Sequence, residues 1–156
     1  MNADTLLSRY GAGERDFHGT CLHQIELRGI NLSRTNLSQC DLSSADLSGA
    51  NLSGADLSRA NLTDADLSGA DMRSANLSEV NFIGADLTGA KLGRANLEHA
   101  DLRSANLTNA DLVGAILTGA DLSGADLEGA NIDEAELDHL SVHTGESHKW
   151  ISWSGR

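Results

Sequence analysis

The chain has 156 residues, a formal charge of -12 at neutral pH, 3% aromatic residues and no proline. A domain of that length ordinarily buries a mixed core of aromatic and branched side chains, but here nearly all the apolar content is Leu and Ala, so the core has to come from one small repeated unit. The acidity opposes contact with nucleic acid or anionic lipid, and no run of about 18 apolar residues exists to span a bilayer.

Residues 1–14 are predicted to form an N-terminal cap of one or two helical turns. Asp4 is the expected helix cap ahead of Thr5 to Tyr10, with Gly11 and Gly13 as the stop. The segment lacks the basic-then-apolar layout of a secretory signal, so a cytoplasmic location is expected.

From 15 to 139 the chain repeats every five residues. The central positions from Phe17 to Leu137 number 25, all apolar and 21 of them Leu, and the position two before is Ala in 18. On a helix, residues five apart lie roughly 140° from each other and would wind around every side. In a straight strand, they would point to opposite faces. A coil resolves the conflict: Ala and Leu point in, the Asp or Asn between them points out, and the next two residues turn a corner. Gly at the second corner position, as in Gly49 and Gly54, relieves the bend. Ser or Thr at the first is expected to hydrogen-bond the local backbone.

The pattern varies in places. Thr20, Ile25, Ile30, Thr35 and Cys40 fill the inner small position before Ala takes over at 45, and Val80 with Phe82 make a bulkier layer. Lys91 and Ile116 replace the outward Asp or Asn, while Ile83 and Val113 are apolar corner residues. Cys21 falls outward and Cys40 inward, so no bond is expected between them. The tail, 140–156, carries both tryptophans; Trp150, Ile151 and Trp153 fold back over the last coil, form a dimer or docking contact, or stay disordered, and the residues leave the three open. His139, His143 and His148 with Glu146 lack the spacing of a strong metal motif and are read as solvated.

Units such as AlaAspLeuSerGly at 45–49 and AlaAsnLeuSerGly at 50–54 make residues 15–139 resemble the pentapeptide-repeat family. The resemblance implies an all-β fold, a right-handed quadrilateral parallel β-helix with four units per coil. On that rule the repeat makes about six coils stacked about 4.8 Å apart, a solenoid roughly 30 Å long.

With four units per coil, positions twenty apart stack and the outward charges sort by face. One face carries Glu26, Asp46, Asp66, Asp86, Asp126 and Glu128 against Arg28, a formal -5. The neighbouring face sets Asp71, Asp111, Asp133 and Glu134 against Arg34, Arg73, Lys91 and Arg94, and sums to zero. Abundant Ser, His and Asp follow from the repeat itself, and a convex rod with a filled core offers no pocket for a catalytic arrangement. No enzyme activity, cofactor or metal is expected. The expected role is a structural or protein-interaction solenoid, monomeric or dimerised end to end, that engages an unidentified protein and neither nucleic acid nor membrane directly. The alternative, implied by the resemblance, is a DNA mimic that inhibits a topoisomerase such as gyrase.

Overall fold

The computed structural model describes residues 1–138. Among the described residues there is one helix, α1, spanning Ala3–Gly11. The cap is Asn2 rather than Asp4: Asn2 is extended, with φ -95° and ψ 171°, and its Oδ1 accepts the Thr5 amide at 2.9 Å. Asp4 lies inside the first turn, where its charge faces the positive end of the helix dipole. Leu6 is fully buried in the core, and the Tyr10 hydroxyl donates to the Ser33 carbonyl at 3.2 Å. Arg9 pairs with Glu14 and holds its guanidinium 5.4 Å from the centre of the Phe17 ring. These contacts seat α1 on the first coil.

From Asp16 to Glu136 the chain forms single-residue parallel bridges, each linking a position to the one twenty residues on. Five residues per unit and twenty per bridge make a coil of four units. No bridge extends into a longer strand, because the chain turns a corner immediately after each inward Leu.

The backbone of one unit shows how the coil satisfies itself. The Asp66 amide donates back to the Ala45 carbonyl at 2.9 Å, and the Leu67 amide donates forward to Asp86 at 2.7 Å. Ser68 donates to the Asp66 carboxylate at 2.9 Å, Gly69 to the Thr88 carbonyl at 2.9 Å, and Ala70 closes the turn on Leu67 at 3.0 Å. Four of the five amides thus use backbone acceptors, and the fifth depends on a side chain. Since an unmet buried amide costs about as much as a lost hydrogen bond, this fifth bond explains the repeated Asp or Asn.

The second corner residue takes positive φ in each unit from Gly19 to Glu134, for example 66° at Gly69 and 57° at Asp64. An i to i+3 bond with positive φ at the third position is the pattern of a type II turn, which favours Gly or Asn there. Inside, the central Leu residues and the Ala column form one hydrophobic cluster from Leu6 to Ile132. Thr35 joins it by donating its hydroxyl to the Leu32 carbonyl at 2.6 Å.

Candidate functional site

The acidic positions fall in one column: Glu26 bridges Asp46, Asp46 bridges Asp66, Asp66 bridges Asp86, and Asn106 leads on to Asp126. Glu26 and Glu128 are exposed, while Asp46, Asp66, Asp86 and Asp126 are half-buried. Partial burial follows from their structural work. Each carboxylate presents Oδ1 to the amide two residues on, at 3.0 Å for Ser48, 2.9 Å for Ser68, 3.0 Å for Thr88 and 2.9 Å for Glu128.

The corner hydroxyls behave differently from the sequence expectation. Ser48 and Ser68 donate to the carboxylates of Asp46 and Asp66, both at 2.6 Å, and not to the backbone. The carboxylate is the stronger acceptor and is already held in place by the amide of the same residue. The Ser48 hydroxyl, then its amide, then Arg28 together hold the Asp46 carboxyl below its ordinary pKa. Arg28 reaches Asp46 at 3.0 Å, which ties down one charge of the wall.

Each Asp or Asn in the outward position caps its own corner in this way, from Asp16 to Asn131. Lys91 and Ile116 cannot. The amides they leave, Gly93 and Thr118, have no acceptor among the described residues.

One of these open amides lies in a groove. Along a corner of the neighbouring wall, Arg34, Gly54, Arg73, Gly93, Arg94 and Val113 line an open cavity of about 540 Å³. The expectation of a rod without a pocket is therefore corrected. The face sums to zero, but along the groove the corners are basic: Arg34, Arg73 and Arg94 occupy them, Asp71 and Asp111 lie in the outward row, and the corner acids Asp133 and Glu134 belong to the next layer, outside the groove's lining. Arg73 is held by Asp71, with Nε on Oδ1 at 2.9 Å and a terminal nitrogen on Oδ2 at 2.6 Å. That pairing depresses the Asp71 pKa, as the Arg103 pairing does for Asp101. Arg34 and Arg94 are exposed and meet no acid among the described residues.

Cys21 is exposed and Cys40 buried, with the Cys40 thiol donating to the Phe17 carbonyl at 3.0 Å. Burial pushes that thiol's pKa up, which makes it a poor nucleophile. Among the described residues no cluster of His, Cys, Asp or Glu is arranged to hold a metal ion, and no helix is long and apolar enough to cross a membrane. The tail positions Trp150, Ile151 and Trp153, and the His139, His143, Glu146 and His148 set, lie outside the described residues.

Comparison with known proteins gives a consistent picture. The family model for pentapeptide repeats matches in 8 copies, beginning at 25–64 and ending at 117–140. The crystal structure of Rfr23, a pentapeptide repeat protein from the cyanobacterium Cyanothece 51142, is 33% identical, with 90% of this chain and 99% of that one covered at a TM-score of 0.50. A pentapeptide repeat protein from the thylakoid lumen of Arabidopsis thaliana is 30% identical over 80% of this chain and 76% of that one, at a TM-score of 0.42. QnrB1, a plasmid-mediated fluoroquinolone resistance protein, is 18% identical over 92% and 97% of the two chains, at a TM-score of 0.43. No curated protein matches the sequence closely enough to count as a relative.

Proposed function

Because the chain belongs to the pentapeptide-repeat family, whose fold is the right-handed quadrilateral β-helix, we propose that it is a non-catalytic interaction solenoid of about six coils. The wall of Glu26, Asp46, Asp66, Asp86, Asp126 and Glu128 takes a basic protein partner. The observation that carries this reading is the bonding of the wall itself. Corner capping consumes Oδ1, which an Asn supplies equally well, as Asn61 and Asn76 do at 3.1 Å. The fold needs the amide acceptor but not the charge.

Stacked carboxylates about 4.8 Å apart repel each other by roughly 1 kcal/mol per pair even in bulk water. A column of Asp is thus the less stable choice for a purely structural role, and a basic partner would relieve the repulsion. The test is affinity capture from the native organism with wild type beside the triple variant Asp46→Asn, Asp66→Asn and Asp86→Asn, the two matched in thermal melting. Basic partners retained by wild type and lost by the variant support the wall. Identical capture by both sinks it.

The acidic column on a stiff rod also favours a second reading, a DNA mimic directed at a topoisomerase. Duplex DNA carries one charge per about 1.7 Å of axis, and -12 over a rod of roughly 30 Å is somewhat less dense. A gyrase supercoiling assay separates the readings, since no inhibition at micromolar protein removes the mimic.

A further inference from the structure

We propose that the arginine-lined groove binds an extended acidic peptide segment of a partner protein, one of whose carboxylates occupies the acceptor position left open at the Gly93 amide. This goes beyond the acidic wall, which lies on a different face and would take a partner of opposite charge.

Three observations converge on the groove. The first is an unmet donor. At the other corners of this column the first-corner amide meets a local Oδ1, at 3.0 Å for Ser33 and Ser53, 3.2 Å for Arg73 and 3.1 Å for Val113. At Gly93 the residue in the capping position is Lys91, which has no acceptor to offer. The corner therefore lacks a carboxylate and gains a cation.

The second is the arginines. Arg9, Arg28, Arg59, Arg73 and Arg103 each pair with an acid, and Arg15 donates to the Tyr10 and Glu14 carbonyls. Arg34 and Arg94 do neither, and both line this cavity. Of the acids on this wall, Asp71 holds Arg73, Asp111 caps Val113 through Oδ1, and Asp133 and Glu134 lie in the layer beyond the groove's lining; none forms an ion pair with Arg34 or Arg94 among the described residues. A guanidinium presents a planar fork of donors matched to a carboxylate.

The third is space. Gly93 is the first-corner residue, outside the positive-φ set, so its backbone does not require glycine. A Cβ built there would sit 3.6 Å from the Val113 carbonyl oxygen and 3.8 Å from the Arg73 Cγ. Its absence keeps the amide open to the groove between them.

The length selects the occupant. Arg34, Gly54, Ser74, Arg94 and Val113 mark successive layers, so the groove runs over four steps of about 4.8 Å, or about 19 Å. A single phosphate or acetate fills a fraction of that. An extended peptide rising about 3.3 Å per residue lays about six residues along it, with alternate side chains on one face.

The test uses the full chain and a fluorescein-labelled, end-blocked peptide of four Glu-Ser repeats, followed by fluorescence anisotropy at low ionic strength. Arg34 and Arg94 both take positive φ, so the variants are Arg34→Asn and Arg94→Asn, a residue type that tolerates it. Saturable binding is expected, at least tenfold weaker in the double variant and unchanged in Arg103→Ala, with the folded state retained in each by circular dichroism. Lys91→Asn supplies the missing cap and is also expected to weaken binding. In wild type, the Gly93 amide proton resonance should move on titration and saturate with the anisotropy. The proposal is overturned by no saturation at millimolar peptide, by equal binding to the double variant, or by an unmoved Gly93 resonance. Displacement by inorganic phosphate or by an eight-residue oligothymidylate as effective as by unlabelled peptide also overturns it, assigning the groove to a small anion or a nucleic acid.

Discussion

Two neighbouring walls of this coil share one core and one backbone plan, yet they end in opposite chemistry. Along the Asp46, Asp66 and Asp86 column each corner is closed by its own carboxylate. One wall over, the column Asp71, Lys91, Asp111 breaks that rule at its middle member, and the open amide belongs to a residue that lines the groove with Arg73 and Arg94. The backbone is indifferent to the change because four of the five amides in a unit never consult the outward side chain. In a periodic fold, then, one substitution at a capping position turns a self-satisfied corner into a receptive one without disturbing the coil.

The comparison breaks first at the core. Leu87 lies behind the acidic wall and Leu92 behind the groove, and both are fully buried. Leu87→Ala and Leu92→Ala should each cost about 2–5 kcal/mol in denaturant unfolding. A large inequality between them would show that the two walls do not share one core.

Acid comes next, acting on both walls and also on the wall that carries Asp41 and Asp101. Asp41, Asp46, Asp71 and Asp101 are held below the ordinary carboxyl pKa by hydroxyl, amide or arginine donors. The unfolded chain therefore takes up protons first as the pH falls. The stability these groups contribute is full above the unfolded value of about 4 and is lost as the pH drops through the folded values. Urea midpoints measured from pH 7 to pH 3 should fall, and the combined Asp71→Asn and Asp101→Asn variant should flatten that slope.

Capping is a smaller effect and separates acceptor from charge. Asp66→Ala removes the acceptor for Ser68 and should cost about 1 kcal/mol. Asp66→Asn keeps it and should be neutral or slightly stabilising. Conversely, Lys91→Asn closes the Gly93 corner and should raise stability by about 0.5–1 kcal/mol. If Lys91→Asn leaves the melting temperature unchanged, the amide was not in want of a partner.

The smallest effect lies in the corner backbone. Arg94 holds φ at 59°, where glycine is relaxed and an ordinary L-residue is not. Arg94→Gly should stabilise by a few tenths of a kcal/mol, read as a small rise in denaturation midpoint alongside weakened peptide binding.

The coil was legible because burial leaves a periodic imprint: Leu67, Ala65 and Ala70 repeat at a spacing that neither a helix nor a straight strand can bury. The number of units per coil was not in the period itself. It came from the resemblance, and the Asp46 to Asp66 bridge displays it directly. The helix start was missed by two residues because Asn2 and Asp4 are both competent caps, and the choice rests on which one the chain holds extended at the rim. The groove was missed for a different reason. Summing charges over a face treats Arg94 and Asp111 as cancelling, while the corner geometry keeps them on separate rows. The signal was present in the unit AlaLysLeuGlyArg at 90–94, where the acceptor is missing and glycine and the cation stand in reversed places.

The bonding register has one further consequence, for how the molecule is built. The Asp66 amide reaches back to Ala45 and the Leu67 amide forward to Asp86, so contacts between coils join residues only about one coil apart in sequence. Each coil lays a finished edge for the next, in the manner of a thread wound onto a spool. Assembly by short loop closures is entropically light and fast, and a nearest-neighbour stack can add coils in turn without waiting for distant parts of the chain.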